Sequence, residues 1–468
     1  MESTPTRNAA GPREPAQYSR QGTPAFDNQK ALAHSRAIIE LIFGPRGTRS
    51  FAVSYWTGDE EPAAREPAPF TIAIRRAGGL RRMLLPPNEL SIVEAVLSGD
   101  IDIEGDMEAA MSLGDAINQR LKSVGTLFSL ARHLLALPRD EPGSDIRERR
   151  AELTVEKVGA SHEPKRDRAA VRYHYDVGND FYALWLDERM VYSCAYFDSN
   201  TDVEANLDAA QVAKLDLICR KLRLAPGERL LDVGCGWGGL IMHAAEHYGV
   251  SALGVTLSDA QAALARERIA ARGLSDRCRV EIRDYRALGS EGHFDKISSV
   301  GMVEHVGMAK LPAYFGALHA VLAPGGLFLN HGIVSMAAAR PASRWDWLEH
   351  RVWKRDAFIE QYVFPDGRLG PLQAVIGAAE AHGFFSIDME SLREHYALTL
   401  RAWLARLARR ADEAIALTDE RIYRTWRLYM AGSAHGFASG SLNVVQTLFG
   451  KPTEAGVTVP LRRGYMNP

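Results

Sequence analysis

The stretch LLDVGCGWGGL, residues 230–240, sets the frame for the whole chain. An apolar strand ends at Val233, a loop carries Gly234, Gly236, Gly238 and Gly239, and helix-forming sequence follows in LIMHAAEHYG (240–249). Glycines at a strand-to-helix turn let the backbone fold back tightly and let a ligand approach without meeting a Cβ. Gly234, Gly236 and Gly239 also satisfy the GxGxxG pattern, so a dinucleotide is one candidate ligand.

The flanking segments separate the candidates. Asp232 stands at the strand end, before the first glycine, where a carboxylate can meet an ammonium group. The next strand ends in GVTLSDAQ (254–261), where a nicotinamide enzyme would usually offer an acidic residue to the ribose. This chain has Thr256 and Leu257 there, with Gln261 following. The third strand ends in RDYR (283–286), so that Asp284 and Tyr285 can meet an adenine edge and face. This ordered set favours S-adenosylmethionine over a dinucleotide.

Further strands are expected in FDKISSVG (294–301) and GLFLNHGIV (326–334), with helical stretches such as AQAALARERIAARG (260–273) between strands. Alternating strands and helices imply an α/β fold, a Rossmann-like parallel sheet with helices on both faces. This catalytic region is expected over residues 169–440. A charged linker is expected at 139–168 and a C-terminal tail at 441–468.

Residues 1–28 read as a disordered extension. Residues 29–138 read as a small α+β domain: a helix in HSRAIIELIF (34–43), strands in RSFAVSYW (49–56), FTIAIRR (70–76) and LRRMLLP (80–86), a strand at Ile101 and Ile103, and a helix cap at Asp106. QRLKSVGTLFSLARHLLALP (119–138) reads as a basic amphipathic helix, with Leu121, Val124, Phe128 and Leu135 on one side and Arg120, Lys122, Arg132 and His133 supplying positive charge. Such a helix either lies on an anionic lipid surface or packs on its own domain.

Composition narrows the classes. Of 468 residues, 46% are apolar and 24% charged, as in ordinary globular proteins, and the formal net charge of -2 demands no nucleic acid. The four cysteines are widely spaced with no CxxC pair, which argues against a zinc site or a disulfide scaffold and suits a reducing cytoplasm. The N-terminal stretch has no signal-peptide core, and no run approaches the roughly 20 apolar residues of a membrane-spanning helix.

Several chemically capable groups fall at expected strand ends or in aromatic segments: Glu304 and His305 after ISSVGMV, His331 after GLFLN, Tyr396 in REHYALTLRAW, and Cys194 in VYSCAYF (191–197). Each alone has an ordinary structural explanation, as a helix cap, a hydrogen-bonded core histidine or a core aromatic.

Together with the glycine loop, YHYDVGNDFYALWLD (173–187), YSCAYF, VGMVEHVG (300–307), HGIV (331–334), YVFPDG (362–367) and HYALTLRAW (395–403) make the chain resemble the cyclopropane-fatty-acyl-phospholipid synthases. The catalytic half is also similar to the mycolic acid cyclopropane synthases. SGDIDIEGDMEAAMSL (98–113) resembles their sterol-carrier-like N-terminal domain. The resemblance implies a peripheral, cytoplasmic methyltransferase at the inner face of the membrane, with a possible homodimer. It would act on unsaturated phospholipid through a carbocation deprotonated by bound bicarbonate. It assigns the bicarbonate pocket to Cys194, Glu304, His331, Ile333 through its backbone, and Tyr396, and puts Tyr175 and Ser193 over the donor. Cys194 would then help hold an anion and would not be a nucleophile. Tyr175, Phe181, Tyr182, Tyr196, Phe197 and Trp237 are candidates for stabilising the cation. A methylene or methyl-branched product, or an inactive lipid-binding protein, are the alternatives. FPDGRLGPL (364–372) departs from the family's glycine pair followed by Leu-Pro-Ser, which leaves that loop's shape open.

Overall fold

The computed structural model describes residues 27–114, 117, 124–139, 177–290, 293–335, 358–364, 369–456 and 459–466. Residues 1–26 of the expected extension, most of the linker, and Tyr175 lie outside the described residues, and Asp27 and Asn28 cap and open the helix Asn28–Phe43.

The first unit is a four-stranded sheet, β1 (Ala52–Tyr55), β2 (Glu60–Glu61), β3 (Phe70–Ile74) and β4 (Ile101–Gly105), in the order β2-β1-β3-β4. β1 and β3 run parallel, and the outer pairs are antiparallel. Asp106 caps the following helix, its carboxylate accepting the Ala109 N–H at 3.0 Å. LRRMLLP is not a strand. Gly79–Leu84 is a helix that buries Leu80, Met83 and Leu84. Those positions recur at i, i+3 and i+4, the helical repeat, and the helix stops before Pro86, which disfavours helical backbone in the residue before it.

The second unit is built on a seven-stranded sheet. Its strands are β5 (Arg229–Val233), β6 (Ser251–Thr256), β7 (Cys278–Ile282), β8 (Phe294–Val300), β9 (Leu322–Ser335), β10 (Phe385–Ser391) and β11 (Leu442–Gly450), in the order β10-β11-β9-β8-β5-β6-β7. β5 to β9 are parallel, but β11 runs antiparallel to both β9 and β10, so the sheet is mixed and not the all-parallel one expected. Connections leave β5 on one side toward β6 and return on the other at β8. The crevice opens at that switch, beyond the carboxyl ends of the strands.

The segment read as a tail supplies a central strand. β11 pairs with β9 from Leu442↔Ser335 to Gly450↔Leu327 and buries Val444 to Phe449. Met466 is buried as well, and its carbonyl accepts a hydrogen bond from Arg220 at 3.1 Å. Its apolar alternation is short and interrupted by Gln446 and Thr447, which hid it in the sequence.

The two units share one apolar interior, continuous from Leu32 to Trp403. Polar contacts seal the seam: Arg401 forks onto Glu108 with two 2.7 Å bonds, Tyr362 donates to Glu94 at 3.0 Å, and Arg424 donates to the Val96 carbonyl at 3.1 Å. Arg401 lies on the helix Arg393–Arg409, which also carries Tyr396.

A chain ending at Gly440 is expected to lose the cooperative fold of the second unit, because β10 would lose its partner and β9 one of its two. Thermal unfolding followed by circular dichroism checks this. A sharp transition in the shortened chain would show that β11 is dispensable.

Candidate active site

The glycine loop forms the floor of a cavity at the carboxyl ends of β5, β6, β7 and β8. Gly234 has φ of +84°, and a Cβ there would come within 2.5 Å of Met302. Gly236 has φ of +53° with open space where its side chain would be, the opening a ligand needs. Gly236 and Gly234 line the cavity, as does Gly239. Gly238 does not. It opens the helix Gly239–Tyr248 in the left-handed region and packs toward Ala265.

Asp232 lies just beneath this loop, buried, and accepts the Ser298 hydroxyl at 2.7 Å. Burial raises its carboxyl to about 6, while the Ser298 hydrogen bond and the Lys214 charge work the other way. Lys214 is buried on the helix Val203–Lys221, lines the same cavity, and donates to Ser193 Oγ at 2.8 Å. Burial pulls its ammonium down to about 8 against the attraction of Asp187, Cys194 and Asp232. The cavity therefore offers a carboxylate and an ammonium, complementary to an amino-acid zwitterion.

A strap from Asp187 to Ser193 closes over this pair. Asp187 accepts the Val191 and Arg189 N–H groups at 2.7 and 3.1 Å, and Gln211 donates to the Val191 and Ser193 carbonyls at 3.3 and 2.9 Å. Ser193 and Tyr192 of the strap line the cavity.

Thr256, Leu257 and Gln261 line it from the end of β6. The Thr256 hydroxyl donates to Gln261 Oε1 at 2.9 Å, which leaves the Gln261 amide N–H₂ as the free end of that side chain for hydrogen bonding. Asp284 and Tyr285 line it from the end of β7. Asp284 is tied to Arg286, whose backbone N–H and Nε donate to Oδ1 at 2.9 and 2.8 Å and whose Nη2 donates to Oδ2 at 2.5 Å. The Arg286 guanidinium also stands 5.2 Å from the Tyr285 ring centre. An adenine ring would meet these residues as a coupled trio.

The five residues assigned to an anion divide into two groups. Glu304, Ile333 and Tyr396 line the cavity; Cys194 and His331 do not. Glu304 sits in the short helix Val303–Val306 after β8, and its Oε1 accepts the Ile333 N–H at 2.7 Å. The Ile333 N–H is therefore committed to Glu304. Glu304 Oε2 is shut away from water and has no hydrogen-bond partner among the described residues. Burial raises this carboxyl to about 7, against the hydrogen bond from Ile333. Tyr396 packs its ring 4.7 Å from that of Phe437.

Cys194 is fully buried, and its Sγ lies 3.2 Å from the Ala195 carbonyl and 3.7 Å from that of Leu392. Burial pushes the thiol far above its usual range, so it is no thiolate nucleophile. All four cysteines are free and buried. His331 shares the face of β9 with Ile333, two residues on. Burial, and after it the charges of Lys214 and Lys221, lower His331 to about 3, so the ring is neutral.

Among the described aromatic candidates only Trp237 lines the cavity; its indole N–H donates to Asn179 at 2.8 Å. Phe181 and Tyr182 belong to a core cluster with Trp185 and Trp426. Tyr196 stacks on His395 and donates to Glu390. The other aromatic lining comes from Tyr192, Phe364, Tyr429 and Phe437. The sequence reading missed Lys214. Its signal was spacing: Leu207, Gln211, Lys214 and Ile218 form one buried helical stripe, in which a lysine is out of place.

A mixed sheet with a parallel core, a glycine loop over a buried carboxylate, and a Thr-Leu…Gln turn beyond the next strand define an S-adenosylmethionine-dependent methyltransferase. Residues 162–447 match the mycolic acid cyclopropane synthetase family, and the chain belongs to that family. It is 39% identical over 402 residues to a probable fatty acid methyltransferase of Pseudomonas putida, covering 86% of this chain and 92% of that one. It is 36% identical over 295 residues to the cyclopropane-fatty-acyl-phospholipid synthase of Escherichia coli, covering 63% of this chain and 71% of that one. Among solved structures, the mycolic acid cyclopropane synthase CmaA1 complexed with SAH and CTAB superposes with a TM-score of 0.55 at 36% identity, over 61% of this chain and 98% of that one.

The two buried charges should set the pH range of donor binding. An ammonium needs Asp232 ionised, so affinity is expected to fall as pH drops through about 6. A carboxylate needs Lys214 protonated, so affinity is expected to fall as pH rises through about 8. Calorimetric titration of S-adenosylhomocysteine across that range checks both limbs. Lys214→Met is expected to weaken binding roughly 10–100-fold, as for a lost hydrogen bond to a charge, and to erase the alkaline limb. An unchanged profile in the variant would remove Lys214 from the donor site.

Proposed function

We propose that this chain moves the methyl carbon of S-adenosylmethionine onto the double bond of an unsaturated phospholipid acyl chain and closes a cyclopropane ring. The observation that carries this reading is Glu304 Oε2, a buried oxygen without a partner, in a cavity that also holds the donor loop and several aromatic rings.

An isolated alkene has no acidic proton, so the attack needs no prior deprotonation. Its π pair bonds to the methyl carbon as the C–S bond breaks, which leaves a thioether and a cation on the neighbouring chain carbon. The ring closes when the transferred methyl loses a proton and its C–H pair bonds to that carbon. Lys214 and Asp232 hold the donor's carboxylate and ammonium. Tyr192, Trp237, Phe364 and Tyr429 line the cavity with aromatic rings, which can exclude water and stabilise positive charge.

Bicarbonate, when bound, would supply the base for the methyl proton. The residues fit such an ion. Near neutral pH a protonated Glu304 can donate from Oε2 to an anion, and the Tyr396 hydroxyl is a second donor. Ile333 contributes by orienting Glu304. Cys194 contributes by packing behind Ser193. His331 contributes a neutral ring beneath the same wall.

The lipid surface has a candidate contact. On the helix Val124–Ala136, Leu130 and Leu134 are buried against the protein, while Phe128, Leu135 and Leu127 are 78%, 62% and 40% exposed. One side of this helix packs on the protein, and the exposed side supports the lipid-surface reading. Exposed apolar side chains next to Arg132 suit the boundary of an anionic bilayer. Among the described residues no helix is long and apolar enough to cross a membrane.

Incubation with S-adenosylmethionine and vesicles of monounsaturated phospholipid should give cyclopropyl protons in the NMR spectrum of the recovered lipid. Vinylidene or methyl-branch signals instead would favour a methylene or methyl-branched product. Glu304→Gln is expected to lower turnover roughly 10²–10³-fold with S-adenosylhomocysteine affinity intact. A carboxyl raised in the fold favours folding below its unfolded pKa, and that contribution is lost as pH rises through about 7. The variant should therefore be no less stable than the parent at alkaline pH. Phe128→Asp with Leu135→Asp is expected to cut sedimentation with anionic vesicles severalfold. Unchanged sedimentation would take this helix out of membrane contact.

A further inference from the structure

His331 sits opposite Gln446 in the register of β9 and β11, and the two side chains meet on one face of the sheet. Gln446 Nε2 lies 3.2 Å from His331 Nδ1. On its other side, Gln446 Oε1 accepts a hydrogen bond from Lys221 Nζ at 2.8 Å. Lys221 is buried and paired with Glu390, which opposes the loss of its charge on burial. All three members of this row are withdrawn from water.

The hydrogen-bond chemistry of the row runs in one direction. An ammonium only donates, so the amide oxygen of Gln446 must face Lys221. The amide N–H₂ then faces His331, and it too only donates. His331 Nδ1 must therefore be the acceptor, without a proton. In a neutral imidazole the remaining proton is then on Nε2.

We propose that Gln446, oriented by Lys221, is a positioning residue that locks His331 as the Nε2–H tautomer, so that the ring behind the cavity wall offers a donor and not a base. This deepens the reading of His331 as part of the anion-holding wall and rests on it. It also gives a reason for a glutamine and a lysine in the interior of the sheet, where neither touches the cavity.

The test uses full-length protein labelled with ¹⁵N-histidine. The His331 signals are identified by their loss in His331→Asn. Long-range ¹H–¹⁵N correlation spectra distinguish a ring protonated at Nε2 from one protonated at Nδ1, without substrate or turnover. The wild-type ring is expected to carry its proton on Nε2. In Gln446→Glu the new carboxylate can only accept, so the proton should appear on Nδ1. Turnover should then fall on the order of 10–100-fold, the usual cost of disturbing an outer partner of a site ligand, with S-adenosylhomocysteine affinity unchanged. Lys221→Met frees the amide to turn over and should give a mixture of tautomers. A wild-type ring protonated on Nδ1, a ring that ignores Gln446→Glu, or full turnover in that variant would overturn the proposal. If the wild-type enzyme forms no cyclopropane at all, the tautomer measurement stands on its own, so the two readings fail separately.

Discussion

Burial of charge at the carboxyl edge of one sheet governs this molecule. Asp232, Lys214 and Glu304 all line one cavity, and each has its protonation pulled toward neutrality by burial of the group. Isolated buried charges are costly. They persist here because each has a fixed partner: Ser298 for Asp232, Ser193 for Lys214, and the Ile333 N–H for Glu304. The same burial that makes these groups costly strengthens their electrostatic action on anything bound beside them.

Holding such groups still requires a stiff surround. The strap over Lys214 is pinned at both ends by Asp187 and Gln211, through four hydrogen bonds to its backbone. The wall opposite depends on β9, which is clamped between β8 and β11 along most of its length. Tyr396 enters from a helix that the first unit grips through Glu108 and Arg401. The small sheet is thus mechanically joined to the chemistry, since Arg401 and Tyr396 are little more than one helical turn apart.

The glycine loop, its preceding carboxylate and the Thr-Leu…Gln turn were legible because they are local. Each lies at a strand end where backbone geometry alone dictates which residues face the crevice, and the parallel core of the sheet follows the alternation of strands and helices. Glu304 and Tyr396 could be named from motifs. That Glu304 keeps one oxygen unpartnered, and holds the Ile333 N–H with the other, could not be. LRRMLLP misled because a run of seven with two arginines has apolar residues that suit either period. β11 was missed because its polar Gln446 and Thr447 break the apolar run, although both are buried.

By itself the sequence determined the parallel core of the sheet, the class of donor and most of the residues around it, since these follow from glycine placement and strand-end chemistry within a few residues of chain. Only the tertiary structure decided which of the candidates share a cavity. It turned Cys194 toward backbone carbonyls, set Lys214 beside Ser193, and brought Gln446 across the sheet to His331 from 115 residues away. The physical reason is that burial and hydrogen-bond partners are properties of the packed whole. The local pattern says which groups a chain owns, and packing says which of them meet without water.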